Sequence, residues 1–170
     1  MHNLHYASIW YRLQDMRATS EAGVSGEKER SCTFCDIVQE KLPVSKIEET
    51  DKIIVFASLS GYPLIAPKKH VDNVFDERLD KEVVHELAEM EVRVARAVRS
   101  AFSVDAVNII SANGKAAGQQ VNHYHIHIMP RTANDNQIKL GKEVILPRPE
   151  LDLRADLVKT RLNEQLPPHV

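Results

Sequence analysis

Residues 123–130 read HYHIHIMP, an alternation of polar and apolar side chains that commits this stretch to an extended strand with one face on a core. A strand turns successive side chains to opposite faces and rises roughly 3.4 Å per residue. His123, His125 and His127 therefore share one face, with neighbours about 7 Å apart, while Tyr124, Ile126 and Ile128 take the other. Three of the chain's eight histidines are concentrated here. Such a face can hold a metal, attack a substrate or simply meet water.

The rest of the chain supplies partners for that strand. KIIVFAS (52–58), PLIAP (63–67) and AVNIIS (106–111) are short, apolar and largely β-branched or proline-bounded, and EVILPRP (143–149) suggests a last short strand. The clearest helix covers about residues 80–101, where Val83, Val84, Leu87, Met90, Val94, Val98 and Ala101 recur at spacings of three and four. Asp80 suits its start, and Arg96 and Arg99 its negative end. DIVQEKLP reads as a short helix stopped by Pro43. Residues 151–166 read as an amphipathic helix through Leu153, Leu157, Leu162 and Leu166, ended by Pro167 and Pro168. Short strands on both sides of one long helix do not make a βαβ alternation. They predict an α+β domain with an antiparallel sheet. Residues 1–31 are polar and rich in small residues and read as a flexible or loosely docked extension, with the domain running from 32 to 170.

A chain of 170 residues with a formal net charge of −2 has room for a core but no basic field, so a nucleic-acid polymer is not an expected partner. No apolar run reaches the roughly 18 residues of a membrane span, and the first residues lack a secretory pattern. The expectation is a cytoplasmic protein. Its two cysteines, Cys32 and Cys35, stand as CTFC; in a reducing compartment such a pair is more often a metal or redox site than a structural disulfide. With no second pair, a tetrahedral zinc would need histidines to complete it.

Immediately before the histidines lies NGKAAGQQV (113–121). Asn113-Gly114 is a turn signal, and Gly118 allows close approach of the backbone to a ligand. Backbone N–H groups, the amides of Asn113 and Gln119, and Lys115 could surround phosphate oxygens. Neutral imidazole is a competent nucleophile towards phosphorus. His125 is the natural choice because a histidine flanks it on either side of the same strand face.

AAGQQVNHYHIHIMPR resembles the signature of the histidine triad superfamily, in which three alternating histidines follow a Gly-Gln loop. The resemblance continues through CTFCDIV, KIIVFAS and LIAPKKHVDNVFD and covers roughly residues 32–131. It implies an antiparallel sheet of about five strands with one long helix and a C-terminal helix, dimerising into a continuous sheet. It also implies a nucleotidyl hydrolase or transferase for nucleoside phosphoramidates or dinucleoside polyphosphates. On that resemblance His125 is the nucleophile, His127 the phosphate contact and His123 an orienting member, with Asn113, Gly114, Gly118 and Gln119 on the phosphate side. The zinc-containing branch implies a structural zinc on Cys32, Cys35, His70 and His123. Three positions depart from the pattern: Tyr62 stands where a fourth histidine is common, Ser58 where an aspartate contacts ribose, and Ala112 where Asn or Gln is frequent. The departures leave a second function class in view, a slow-turnover nucleotide sensor. A His-x-His metallohydrolase is a third.

Overall fold

The computed structural model describes residues 32–133, 135 and 145–165. The extension assigned to residues 1–31 lies outside the described residues. The chain divides into two compact units, Met1–Asn134 and Asp135–Val170.

In the first unit a short helix α1 (Thr33–Val38) precedes β1 (Lys46–Glu49), β2 (Ile53–Ala57) and β3 (Pro63–Pro67). The long helix α2 (Lys81–Ala101), β4 (Ala106–Ile110), a 3₁₀ turn (Lys115–Ala117) and β5 (Ile126–Arg131) follow. The five strands form one antiparallel sheet in the order β1-β2-β3-β5-β4. β3 is fully buried and β2 nearly so, which is why their sequences are continuous apolar runs rather than alternating ones.

The sheet separates two apolar clusters. On one face α2 lays Val83, Leu87, Met90, Val94 and Val98 over Ile53, Val55, Ile65, Ile126 and Ile128. Asp80 caps that helix, its Oδ1 accepting from the Val83 N–H at 2.9 Å. Val84 and Ala101 are on its exposed side rather than in the core. On the opposite face Phe34 of α1 packs with Ile54, Phe56, Leu64 and Ala66. Helix α1 begins three residues before the predicted segment and ends well before Pro43, because Glu40 turns into the left-handed region (φ 59°). The N–H of Glu40 then bonds the Ile37 carbonyl at 3.0 Å and that of Lys41 bonds the Asp36 carbonyl at 2.8 Å, closing a Schellman end.

Strand β1 has no counterpart in the sequence expectations. Its residues, KIEE, are all exposed and lack an apolar period; it is an edge strand joined to β2 with a register shift between Lys46 and Glu48.

The second unit holds α3 (Arg148–Gln165). It corrects two expectations. Ile145–Pro147 is not a strand, and Arg148 and Pro149 already belong to the helix. Proline is tolerated in a first turn because its missing N–H has no helical acceptor there. Leu153 and Leu157, each 60% exposed, do not bury the amphipathic face their spacing suggested. Leu166, Pro167 and Pro168 lie outside the described residues. Among the described residues, no helix is long and apolar enough to cross a membrane.

Candidate active site and metal centre

Only His127 of the three alternating histidines sits within β5, yet the alternation persists upstream of the ladder. Tyr124, Ile126 and Ile128 face the α2 cluster. His123, His125 and His127 occupy the other side: the His125 and His127 rings are 4.8 Å apart, and Phe34 lies edge-on at 5.1 Å from His125. His123 is fully buried and His125 is 5% exposed. Register pairs His127 with Leu64 on one side and Ile110 on the other.

Hydrogen bonding sets the state of His125. Its Nδ1 lies 2.7 Å from the His123 carbonyl oxygen. A carbonyl only accepts, so Nδ1 carries the proton and Nε2 keeps the lone pair in the neutral ring. Burial holds the His125 pKa below its usual value, despite the opposing pull of that carbonyl, so the ring is neutral at pH 7. The His125 carbonyl in turn accepts from Ser111 Oγ at 2.9 Å. Burial, with a smaller effect from His125, takes His127 down to about 4, and the Tyr62 ring lies 5.8 Å from it.

These depressed imidazoles predict a pH dependence of stability. The folded His127 value of about 4 lies below the ordinary 6.5, so the unfolded chain binds a proton first as pH falls. The His127 contribution is intact above pH 6.5 and is lost progressively down to about 4, with His125 acting in the same direction. The urea midpoint of metal-free protein should therefore fall between pH 6.5 and 4.5, before most carboxylates titrate. A midpoint that stays flat through this window contradicts the burial argument.

The loop before the histidines is braced by its own side chains. Gln119 Oε1 accepts from the Gly114 N–H at 2.7 Å, and its Nε2 donates to the carbonyls of Asp72 at 2.6 Å and Val121 at 3.0 Å. Asn113 Oδ1 accepts from the Val74 N–H at 3.0 Å, while Nδ2 donates to Ser111. Gly114 (φ +90°) and Gly118 (φ +83°) bound the 3₁₀ turn; a Cβ at either meets nothing within 4 Å, so torsion rather than space selects glycine.

Behind the histidines, Cys32, Cys35, His70 and His123 bring one ligand atom each to within 4.8 Å of one another. His123 Nδ1 is 3.4 Å from Cys32 Sγ and 3.7 Å from Cys35 Sγ, and His70 Nδ1 is 3.3 Å from Cys35 Sγ. Tetrahedral bonds of about 2.0–2.1 and 2.3 Å to a common zinc would put nitrogen and sulfur about 3.6 Å apart, so the donor set fits that ion. The outer ring nitrogens are also placed for it. His123 Nε2 donates to the Pro67 carbonyl at 2.8 Å and His70 Nε2 to Asp72 Oδ1 at 2.9 Å, leaving both Nδ1 lone pairs towards the sulfurs. Burial and then Cys32 push the Cys35 thiol up to about 11, and a metal must displace that proton. Both His123 nitrogens are engaged here, whereas His125 keeps its Nε2 lone pair beside the His127 ring.

Phe34, Pro67, Asp72 and Ser111 are site residues that the sequence reading missed. Asp72 left a trace in the spacing His70-x-Asp72, and Phe34 lies inside CTFC. Pro67 acts through its main chain, for which no side-chain signal exists.

An alternating-histidine strand beside a glycine-bounded loop, on an antiparallel sheet backed by one long helix, defines the histidine triad class of nucleotide-binding hydrolases and transferases. Residues 40–134 match the HIT domain, and the chain belongs to that family. It is 36% identical over 107 residues to Protein hit of Bacillus subtilis, covering 59% of this chain and 71% of that one. Adenylylsulfatase HINT3 of Arabidopsis thaliana is 31% identical over 133 residues, covering 70% and 66%. A zinc-bound histidine triad family protein from Mycobacterium smegmatis superposes with a TM-score of 0.58 at 33% identity, covering 78% of this chain and 97% of that one. Cys32 and Cys35 lie upstream of the matched residues, whereas His70 and His123 lie within them.

Proposed function

We propose that the chain hydrolyses or transfers a nucleotidyl group from nucleoside phosphoramidates or dinucleoside polyphosphates, by attack at the α-phosphate through a covalent nucleotidyl-histidine intermediate on His125. The observation that carries this reading is the Nδ1–H bond from His125 to the His123 carbonyl, which leaves a neutral ring with its lone pair on Nε2. Attack forms the Nε2–P bond as the bond from phosphorus to the leaving group breaks. The His123 carbonyl then faces the N–H of a developing imidazolium and stabilises it. The neutral His127 ring offers an N–H to a phosphate oxygen. Water next attacks phosphorus, releasing the nucleoside monophosphate and restoring His125.

The side-chain amides of Asn113 and Gln119 bond within the protein, so in this reading they shape the phosphate loop and main-chain N–H groups between Gly114 and Val121 meet the oxygens. Ser58 Oγ is buried without a hydrogen-bond partner among the described residues, and by strand alternation it shares the face of Phe56. The Tyr62 ring against His127 favours a second reading, a nucleotide sensor with slow turnover. Intact-mass analysis after mixing with adenosine and guanosine phosphoramidates and dinucleotides separates the readings. A gain of one nucleoside monophosphate per chain, formed and lost at the rate of turnover, supports the enzyme; chelator-sensitive turnover with no adduct sinks it.

The same reading includes a structural zinc on Cys32, Cys35, His70 and His123, a cytoplasmic location that keeps those thiols reduced, and a homodimer. β4 is a terminal strand of the sheet, and its pairing across a two-fold axis would make the sheet continuous. Light scattering should give twice the chain mass at micromolar concentration; monomer throughout that range counts against the dimer.

A further inference from the structure

Cys32 is the N-cap of α1 and Cys35 lies in its first turn, so both sulfurs are on one helical turn, within 4.8 Å of each other. Both are free and half-buried. The residue between them that enters the core is Phe34, whose ring contacts His125 at 5.1 Å and His123 at 5.6 Å. The N-cap side chain makes no capping bond to the helix N–H groups, and a helix of six residues has little stability of its own. The contacts of the two sulfurs with His70 and His123 and the burial of Phe34 therefore hold this turn in place. His123 connects the two centres by a second route: its ring faces the sulfurs and its carbonyl holds His125 Nδ1.

We propose that Cys32 and Cys35 form a reversible oxidation site, at which a hydroperoxide converts the metal-bound thiolates to a disulfide, releases the metal and loosens the hold on His125. The proposal rests on the zinc reading of the cluster and on His125 as nucleophile. One thiolate attacks the outer peroxide oxygen: an S–O bond forms, the O–O bond breaks, and hydroxide (or an alkoxide) leaves. The other thiolate attacks the resulting sulfenic sulfur, forming the S–S bond and expelling a second hydroxide. Two electrons pass from the sulfurs to the peroxide. The sulfurs contract from about 3.8 Å apart around a tetrahedral zinc to about 2.05 Å and lose their charge, so two imidazoles alone remain for the ion. That contraction moves the turn that carries Phe34, and it leaves the His123 ring without its partner.

The test treats the zinc-loaded full chain with increasing hydrogen peroxide. Three quantities are followed: intact mass, zinc transferred to a chromophoric chelator, and the rate of adduct formation from adenosine phosphoramidate. The expected result is loss of two hydrogens per chain, mapped by peptides to Cys32–Cys35, in step with release of the zinc. Adduct formation should slow about 10–100-fold, the usual effect of disturbing groups behind a site, and recover with dithiothreitol plus zinc. Zinc retained as the disulfide forms overturns the proposal, as does oxidation that only adds oxygen to the sulfurs. An adduct rate unchanged after full zinc release overturns the link to His125. Absence of adduct from the reduced, zinc-loaded protein overturns the nucleotidyl reading instead, and the mass and zinc measurements still decide the oxidation site.

Discussion

A His125→Ala protein should form no nucleotidyl adduct and lose turnover by on the order of 10³-fold or more, while still binding nucleotide. The size of the effect follows from the absence of a substitute. His123 has one ring nitrogen on the Pro67 carbonyl and the other towards the cysteine sulfurs. His127 offers a neutral ring, but its neighbour Leu64 and the Tyr62 ring surround a different point on the strand. Removing the buried imidazole also leaves the His123 carbonyl without its donor, at a cost of about 1–3 kcal/mol. Thermal unfolding of the variant must therefore be measured beside its activity. His127→Ala should keep some adduct and form it about 10²-fold more slowly. If the His125→Ala protein still carries an acid-labile adduct, the nucleophile has been misassigned.

Stripping the metal should be the largest single perturbation of stability. Protein purified without a metal-chelating column should contain close to one zinc per chain, and a strong chelator should lower its thermal midpoint by on the order of 10 °C. A ligand held at a thousandfold excess over its dissociation constant stabilises by about 4 kcal/mol, and zinc bound tightly by this set would supply that much. The fold should nonetheless survive, because Phe34 also packs with Ile54, Phe56 and Leu64. The Cys35 thiol at about 11 must give up its proton, so affinity should weaken steeply as pH falls. A protein without zinc, with an unchanged midpoint in chelator and two freely reactive thiols, would falsify the metal site.

The elements legible in the sequence were those whose burial leaves a period. The histidine strand announces its two faces because Tyr124, Ile126 and Ile128 must reach the α2 cluster, and α2 itself follows from Val83, Leu87, Met90, Val94 and Val98. The cysteine–histidine cluster was legible only through the family resemblance, since nothing in the spacing of Cys35 and His123 brings them together. β1 was illegible because an exposed edge strand buries nothing that a pattern could record. The leucines of α3 misled in the opposite sense, having a helical spacing and remaining exposed. Residue types also failed to specify direction. Asn113 and Gln119 have the right chemistry for a phosphate, and in the folded chain their amides bond to the protein itself, at Ser111 and at the Asp72 carbonyl.

The two ends of the sheet are not equivalent. β1 ends it with Lys46, Glu48 and Glu49 and an irregular register, features that discourage another strand from joining. β4 ends it with Ala106, Val107, Asn108, Ile109 and Ile110 in unbroken register with β5, and it carries no charge. A sheet with two receptive margins can grow into an open-ended ribbon; one with a single receptive margin stops growing once that margin meets its own copy. The charged residues of β1 would thus act on a property far from the histidines: if β4 pairs with its own copy as proposed, strand-to-strand assembly would be self-terminating, closing at two copies.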